Sequence, residues 1–252
     1  MAGWGWGSPE RPPRRSRQGR AYSKSVSDDV ATNEVSDSGD SGDSGDTERR
    51  RRVSLAGHRG DATLARGGLA DRDPKVQVAA LGALARLGEL TAHDVQRALE
   101  SGAVPLRRRA AEAAPAVRGK GSRSVLPAAV THALDDPDAL VVVDAAWFLG
   151  ERRYLPAVAG LVRVATGHED PRCREAAVAA LGAIGHPDGL PAVLAALGDK
   201  PTVRRRATVA LAGFDDPRVE PALRQSAGDR DWQVRQAAGE LLGDEEPGST
   251  TR

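Results

Sequence analysis

A short apolar segment recurs six times along the chain at a nearly constant spacing. Successive copies begin 30, 35, 32, 30 and 31 residues apart, at Val76, Leu106, Val141, Cys173, Val203 and Val234. When the first residue of each copy is counted as position 0, position 4 is always alanine: Ala80, Ala110, Ala145, Ala177, Ala207 and Ala238. Positions 0, 4, 8 and 11 share one face of an α-helix. The repeat therefore predicts six amphipathic helices that pack through equivalent faces.

A second, weaker apolar segment lies before each copy. Several of these segments begin near a proline, at Pro127, Pro156, Pro191 and Pro221, where the missing amide costs a helix little. An aspartate precedes most copies and can cap the next helix by accepting its free backbone amides. Each unit is therefore predicted to be a helix–turn–helix of about thirty residues. One such unit cannot bury its own apolar face, so the units have to stack.

The composition fits such a stack and excludes several classes of protein. Only 3% of the residues are aromatic, and alanine side chains let neighbouring helices approach closely. The single cysteine, Cys173, cannot support a disulfide framework and is expected in the core. The longest apolar run, residues 139–143, is too short to span a bilayer. The net charge of +1 argues against a surface built throughout for nucleic acid or acidic membranes. The Arg, Ala, Gly and Pro bias is typical of a G+C-rich bacterium, and the lack of an apolar segment of signal-peptide length favours a cytoplasmic protein.

Residues 1–52 differ from the rest of the chain. They are almost free of Leu, Ile and Phe and fall into blocks of charge, +5 over residues 1–24, −8 over residues 28–48 and +4 over residues 49–52. Such a sequence buries too little apolar surface to offset the entropy lost on ordering. We expect a disordered N-terminal tail at 1–52, a repeat array at 53–243 and a short C-terminal tail at 244–252.

The repeated pattern resembles that of a known family. The segment DPRCREAAVAALG, which begins at Asp170, is similar to a HEAT repeat of the short bacterial type found in phycobilin lyases and in deoxyhypusine hydroxylase. The resemblance covers about residues 54–243. It implies an all-α fold, an α-solenoid of about six HEAT-like repeats with inner helices that line a concave surface. It also implies a non-enzymatic, monomeric scaffold that binds a protein partner on that surface, although such arrays occasionally catalyse reactions.

Charged residues recur at two positions of the repeat. An aspartate often stands at position −3, in the linker, and an arginine often stands at position 1. These residues are predicted to form a ladder of charge-assisted hydrogen bonds between neighbouring units, with the members Asp73, Arg107, Asp138, Asp170, Arg174, Arg204, Asp231 and Arg235. The ladder is expected to be interrupted at Val142, Ala103 and Lys200, where the pattern fails.

Five outward-pointing residues are the candidates for partner binding. Arg108, Arg109, Arg205 and Arg206 lie beside the position 1 arginines and could contact the phosphates of a nucleic acid. This is the alternative function, and it is disfavoured because residues 53–252 carry equal numbers of basic and acidic side chains. Trp147 either packs against the preceding helix, the favoured interpretation, or forms the centre of an interface. Trp232 is expected to cover the end of the last repeat.

The sequence offers little for catalysis. His168 and Glu169 form the only adjacent His–Glu pair, whereas the di-iron site of the similar deoxyhypusine hydroxylases needs several such pairs. We therefore expect this pair in a solvated turn, and we assign no catalytic, cofactor-binding or metal-binding residue and no cofactor. A lyase activity has only the implied fold in its favour and is the weakest of the three functions.

Overall fold

The computed structural model describes residues 41–119 and 121–243 of the chain. Its helices are α1 Ser41–Arg59, α2 Ala62–Gly67, α3 Pro74–Leu87, α4 Ala92–Leu99, α5 Val104–Ala113, α6 Val125–His132, α7 Ala139–Glu151, α8 Val158–Gly167, α9 Pro171–Ile184, α10 Leu190–Ala196, α11 Pro201–Ala210, α12 Val219–Ser226 and α13 Trp232–Leu242. Short 3-10 turns occupy Gly68–Ala70, Ala114–Ala116, Ala133–Asp135, Leu155–Ala157, Pro187–Gly189 and Leu211–Gly213. Every regular element within the two described ranges is helical, as predicted.

The helices form two layers. The odd-numbered helices from α3 to α13 carry the six repeat copies and pack on one another in chain order, whereas each even-numbered helix packs against the odd-numbered helix that follows it. The pairs α2–α3, α4–α5, α6–α7, α8–α9, α10–α11 and α12–α13 are the six predicted helix–turn–helix units. The prediction of an all-α solenoid is confirmed.

Small residues set the spacing of the odd-numbered helices. The six alanines at position 4 are all fully buried. The backbones come closest one turn further on, where a glycine at position 9 meets an alanine at position 7 of the next unit. A Cβ atom on Gly150 would lie 2.8 Å from the Cα atom of Ala180, and one on Gly182 would lie 2.7 Å from that of Ala210. These distances leave no room for a larger side chain, which explains why aromatic residues are rare in this array.

The array begins earlier in the chain than the sequence predicts. Residues 41–52, assigned to the disordered tail, form the first part of α1, and α1 packs on α3. Val53 and Ala56 are buried in this contact, and a Cβ atom on Gly57 would lie 2.7 Å from the Cα atom of Ala83. Gly57 thus takes the place of Gly150 and Gly182, and α1 is the long helix of a further unit. The prediction of disorder is wrong for residues 41–52, because few buried residues suffice where the backbones approach so closely.

The remaining tail predictions fall elsewhere. Residues 1–40 of the predicted N-terminal tail and residues 244–252 of the predicted C-terminal tail lie outside the described residues. The last described helix, α13, ends at Leu242, and Gly243 closes it in the left-handed conformation.

The aspartates at position −3 cap helices. Asp73, Asp138, Asp170 and Asp231 each accept a hydrogen bond from the backbone amide two residues later, at the start of α3, α7, α9 and α13. This agrees with the capping role that the sequence predicts for linker aspartates. The position 1 arginines pair with other aspartates, so the assignment of these four as acceptors of the ladder is wrong; Asp138 instead accepts Arg108, at position 2.

The ladder exists, but a different aspartate of each linker accepts the arginine. The acceptors lie two residues before the helix cap, or one residue before it at Lys200. In each rung the arginine Nε and Nη2 atoms donate to the two oxygens of one carboxylate in the next linker. The rungs, with the shortest nitrogen–oxygen distances, are Arg49–Asp71 at 3.0 Å, Arg107–Asp136 at 2.7 Å, Arg174–Asp199 at 2.6 Å and Arg204–Asp229 at 2.8 Å.

The arginines of the ladder also bind their own linkers. In Arg107, Arg174 and Arg204 the Nη1 atom donates to a carbonyl of the preceding linker. Arg235, in the last described helix, donates to two such carbonyls, those of residues 229 and 230. The guanidiniums of Arg107, Arg174 and Arg204 therefore each join one helix to the linkers before and after it.

Two rungs are missing, and both partners are replaced in each. Where α3 has Gln77, the next linker has Ser101 at the acceptor position. Where α7 has Val142, the next linker has His168, whose Nδ1 atom accepts from the amide of Asp170. The predicted interruption at Val142 is confirmed. The expectation of an interruption at Lys200 is wrong, because the carboxylate of Asp199 accepts hydrogen bonds from Arg174 there. A rung is missing near Ala103, and the reason is that Gln77 and Ser101 replace its two partners.

Candidate functional site

The odd-numbered helices have one side that faces away from the buried alanine column and carries many of their exposed side chains, which we call the open face. It is formed by positions 2, 3, 6 and 10 of these helices, the positions that point away from the buried alanine column. Its largest exposed apolar side chain is Trp147, at position 6 of α7, of which 60% is exposed. The favoured interpretation that Trp147 packs against the preceding helix is therefore wrong. Its candidacy as an interface residue stays a prediction.

Two carboxylates lie next to Trp147 on the same helix. Asp144 is one turn before the indole and Glu151 is one turn after it. Asp144 is half-buried, and burial raises the pKa of its carboxyl, with the negative charge of Glu112 on α5 as a smaller cause. Among the described residues, neither Asp144 nor Glu151 forms an ion pair. The open side of α7 therefore carries two uncompensated negative charges around an exposed indole.

The four candidate arginines lie on the open face, and three of them are paired. Arg108 forms an ion pair with Asp138 at 2.5 Å, Arg109 with Glu112 at 2.7 Å, and Arg206 with Glu175 at 3.4 Å. The pairs of Arg108 and Arg206 join neighbouring units. Arg205 is exposed and pairs with no carboxylate in the described part of the chain. The arginines that sequence reasoning offers for phosphate contacts are thus mostly neutralised.

Sequence reasoning does not find a groove on the open face between α1, α3 and α5. It has a volume of about 500 Å³ and is lined by Ser54 and His58 of α1, Arg86 of α3, and Arg108 and Arg109 of α5, among others. The guanidinium of Arg109 lies over Gly82, where a Cβ atom would come within 2.6 Å of Nη2. The groove depends on the packing of α1 on α3, and the sequence does not predict this helix, since it assigns residues 41–52 of α1 to the tail.

The second exposed tryptophan belongs to the last described helix. Trp232 is the first residue of α13, at the turn that enters the helix, and 61% of it is exposed. The expectation that it covers the last repeat is wrong, because the indole lies on the outside of the turn. Trp147 and Trp232 are thus two equally exposed indoles in different surroundings.

The HEAT-repeat family model matches residues 126–212 of the chain. A second match covers residues 190–249, of which the last six lie outside the described residues. The chain carries HEAT repeats over residues 126–249. No curated protein matches its sequence. The HEAT array therefore has to be interpreted from its own geometry and from similar solved structures.

Solved structures similar to the HEAT array are distant in sequence. The complex of CpcE and CpcF of phycocyanin lyase from Nostoc sp. PCC7120 is 24% identical, with a TM-score of 0.53 over 72% of this chain and 76% of that chain. An engineered protein gives 19% identity and a TM-score of 0.57 over 75% of this chain and 99% of its own. YibA of Escherichia coli gives 17% identity and a TM-score of 0.56, over 88% and 85%. These likenesses establish the fold of the array.

The side chains of the HEAT array that could be chemically reactive have structural roles or lie in solvent. Cys173 is fully buried in α9, as expected, and burial raises the pKa of its thiol to about 11. Its Sγ atom lies 3.4 Å from the carbonyl of Ala139, to which the thiol donates. Glu169 is exposed beside the partly buried His168. Within the two described ranges, no three His, Cys, Asp or Glu side chains are grouped as metal ligands, and no helix has the length and apolarity needed to cross a membrane.

Proposed function

We propose that this HEAT-repeat chain is a non-enzymatic scaffold that binds a protein partner on the open face, with Trp147 at the centre of the interface. The observation that carries the proposal is the exposure of Trp147, 60% of which meets solvent in the middle of a packed array. Exposing an indole costs solubility and stability, and tryptophan is among the residues that most often dominate binding free energy at interfaces. The indole therefore has the chemistry of a binding anchor.

The helix below Trp147 supports this proposal. On α7, Ala145 and Leu149 are fully buried, and Gly150 is in close approach to Ala180 of α9. Helix α7 is thus fixed on the side opposite the indole, and a partner that binds Trp147 does not have to order the backbone. A rigid surface loses little conformational entropy on binding, which favours affinity.

The state of the reactive groups supports a non-enzymatic role. The buried thiol of Cys173 is held protonated at neutral pH, and the thiolate is the form that acts as a nucleophile. His168 replaces an aspartate of the ladder and accepts a backbone amide, as a linker residue does. We propose that the chain works as a monomer in the cytoplasm, where a single buried cysteine needs no oxidising environment.

Nucleic-acid binding is the weaker candidate. A phosphate would have to compete with Asp138, Glu112 and Glu175 for Arg108, Arg109 and Arg206. Counterion release, which supplies most of the affinity of proteins for nucleic acids, requires cationic side chains that are not already neutralised. The open face around Trp147 is acidic instead.

An affinity capture experiment tests the proposal. The tagged protein, Trp147→Ala and Trp232→Ala are used in parallel on nuclease-treated lysate of the native host at physiological salt, and bound proteins are quantified by mass spectrometry. We expect at least one protein that is captured by the wild type and by Trp232→Ala but not by Trp147→Ala. Equal capture by all three would contradict it, and so would a protein that is retained from untreated lysate but lost from the nuclease-treated lysate.

A further inference from the structure

The surface around Trp147 combines an aromatic ring with acidic side chains. We call the set Asp144, Trp147 and Glu151 of α7 together with Glu112 of α5 the acidic indole patch. Helix α5 packs on α7, and the charge of Glu112 is felt at Asp144. The patch thus spans two neighbouring units of the array. The two tryptophans of the described chain differ in this respect, because Trp232 has no such cluster of carboxylates on its own helix.

The charges of the patch are unevenly compensated. Glu112 has a cationic partner in Arg109, with 2.7 Å between Nη1 and Oε2. Within the described part of the chain, Asp144 accepts no hydrogen bond and no cation pairs with it, although the side chain is half-buried. A half-buried carboxylate normally obtains a donor or a counter-ion, since leaving it unpaired costs free energy. Glu151 is exposed and unpaired on the other side of the indole.

Much of the surface beside the indole is apolar. Leu140 and Val143 lie on the N-terminal side of Trp147 on α7, and 41% of Leu140 is exposed. The next helix, α9, packs on α7 and carries only Ala176, Ala179 and Ala183 at positions 3, 6 and 10. Position 2 of α9 holds Glu175, which is paired with Arg206 of α11. The aliphatic stem of a long cationic side chain would therefore have apolar surface to lie on.

We propose that the acidic indole patch binds an arginine side chain carried by an extended segment of the protein partner. This inference rests on the proposed function and names the chemistry of the partner at that site. A guanidinium stacks on an indole through its planar face and binds a carboxylate through its fork of N–H donors. Asp144 is placed to accept those donors, Glu151 adds a second negative charge, and the indole supplies the stacking surface. The arginine would supply the counter-ion that Asp144 lacks.

Binding of synthetic peptides measures this directly. The probe is a short acetylated and amidated peptide in which arginine alternates with alanine, titrated into the full-length protein by calorimetry at low and at physiological salt. Citrulline replaces arginine in the matched control peptide, because it keeps the shape of the side chain and removes the charge. We expect the arginine peptide to bind about tenfold more tightly than the citrulline peptide, and we expect Asp144→Asn and Trp147→Ala each to lose about tenfold. Trp232→Ala should bind as the wild type does.

Several results would overturn the inference. Equal binding of the arginine and citrulline peptides would show that charge is not recognised, and equal binding by Asp144→Asn would remove the carboxylate from the site. Tighter binding of a glutamate peptide would assign the opposite chemistry. The remaining possibility is that a second copy of the chain occupies the patch. Sedimentation of the free protein tests it, because a dimer that Trp147→Ala dissociates would show that a second copy binds there.

Failure of this inference can be told apart from failure of the proposed function. If the host lysate yields a partner that depends on Trp147 but the arginine peptide does not bind, the scaffold proposal stands and the arginine inference falls. If neither the lysate nor the peptide gives binding that depends on Trp147, both fall. Thermal unfolding of each variant, which should remain cooperative, shows whether a lost interaction reflects the patch or a damaged fold.

Discussion

Asp144 lies one helical turn before Trp147 on the open side of α7, half-buried and without a cationic partner in the described part of the chain. Burial and the charge of Glu112 both disfavour its ionised form, so the pKa of the carboxyl is raised. The folded protein therefore holds a negative charge at a cost to its own stability. A cost of this kind is common where a surface is selected for binding and not for stability.

Removing the charge of Asp144 should stabilise the free protein. An acid whose folded pKa is raised binds its proton more tightly in the folded state, so stability falls as pH rises through its unfolded and then its folded pKa. Asp144→Asn should therefore raise the melting temperature at pH 7, and the gain should shrink as pH falls toward 4. Glu151→Gln is the control, and its exposed side chain should change the melting temperature little. A gain for Asp144→Asn that does not depend on pH would contradict the account.

The buried rungs of the ladder should contribute most to stability. Arg204 and Asp229 form a bidentate pair in which the arginine side chain is only 6% exposed, so removing the guanidinium leaves a carboxylate without its donors. Arg204→Met should lower the free energy of unfolding by about 2–3 kcal/mol. Arg224→Met removes an exposed pair with Glu220 and should cost less than about 0.5 kcal/mol. Denaturant unfolding measures both, and similar losses would show that the rung has no special weight.

Acid should weaken the array through the same rungs. The guanidiniums of Arg174 and Arg204 hold the pKa of Asp199 and Asp229 below the usual value. A carboxylate with a lowered folded pKa stabilises the protein above its unfolded pKa, and that contribution is lost as pH falls through the folded pKa. We expect the melting temperature to fall steeply below about pH 4. In the double variant Asp199→Asn and Asp229→Asn the fall should be shallower, with a lower melting temperature at pH 7.

A missing rung should be restorable only by both partners together. The step from α3 to α5 has Gln77 and Ser101 where the intact rungs have arginine and aspartate. Gln77→Arg combined with Ser101→Asp should stabilise the array relative to the sum of the single changes, with a coupling of about 1 kcal/mol. A double-mutant cycle by chemical denaturation measures this coupling. Additive effects would mean that the arginines and aspartates do not act as pairs.

The packing of α1 on α3 can be tested with a single methyl group. Gly57→Ala places a Cβ atom within 2.7 Å of the Cα atom of Ala83, so the helices must separate, at a cost of about 1–3 kcal/mol. Gly45→Ala on the same helix meets only the end of the Arg49 side chain, at 3.8 Å, and should be neutral or slightly stabilising. If both variants have the melting temperature of the wild type, α1 is not part of the array.

The sequence predicts the periodic features of this fold well and the non-periodic ones poorly. The alanine column at position 4 repeats six times, so the helices and their stacking follow from it. Helix α1 escapes detection because Val53 and Ala56 are nearly its whole buried face and follow a run of arginines. Its signal is Gly57, which lies eight residues after Arg49, as Gly182 lies eight residues after Arg174.

The ladder and the site show why local patterns are insufficient. Each linker often carries two aspartates, and only the tertiary arrangement shows that the first accepts the arginine of the preceding unit while the second caps a helix. Local sequence patterns also do not decide whether Trp147 is exposed. Position 6 holds small, charged or β-branched residues in the other copies, so one large side chain there could be packed or exposed. In the folded array the indole is exposed.

Photo-crosslinking in the native host tests the central claim most directly. A photoreactive phenylalanine analogue replaces Trp147 in one strain and Trp232 in another, two positions that are equally exposed, at 60% and 61%. A partner bound at the open face should give a discrete crosslinked protein adduct from position 147 and none of the same mass from position 232. The same adduct from both positions, or none from position 147 while the protein is folded and abundant, would contradict the claim that the open face around Trp147 binds a protein partner.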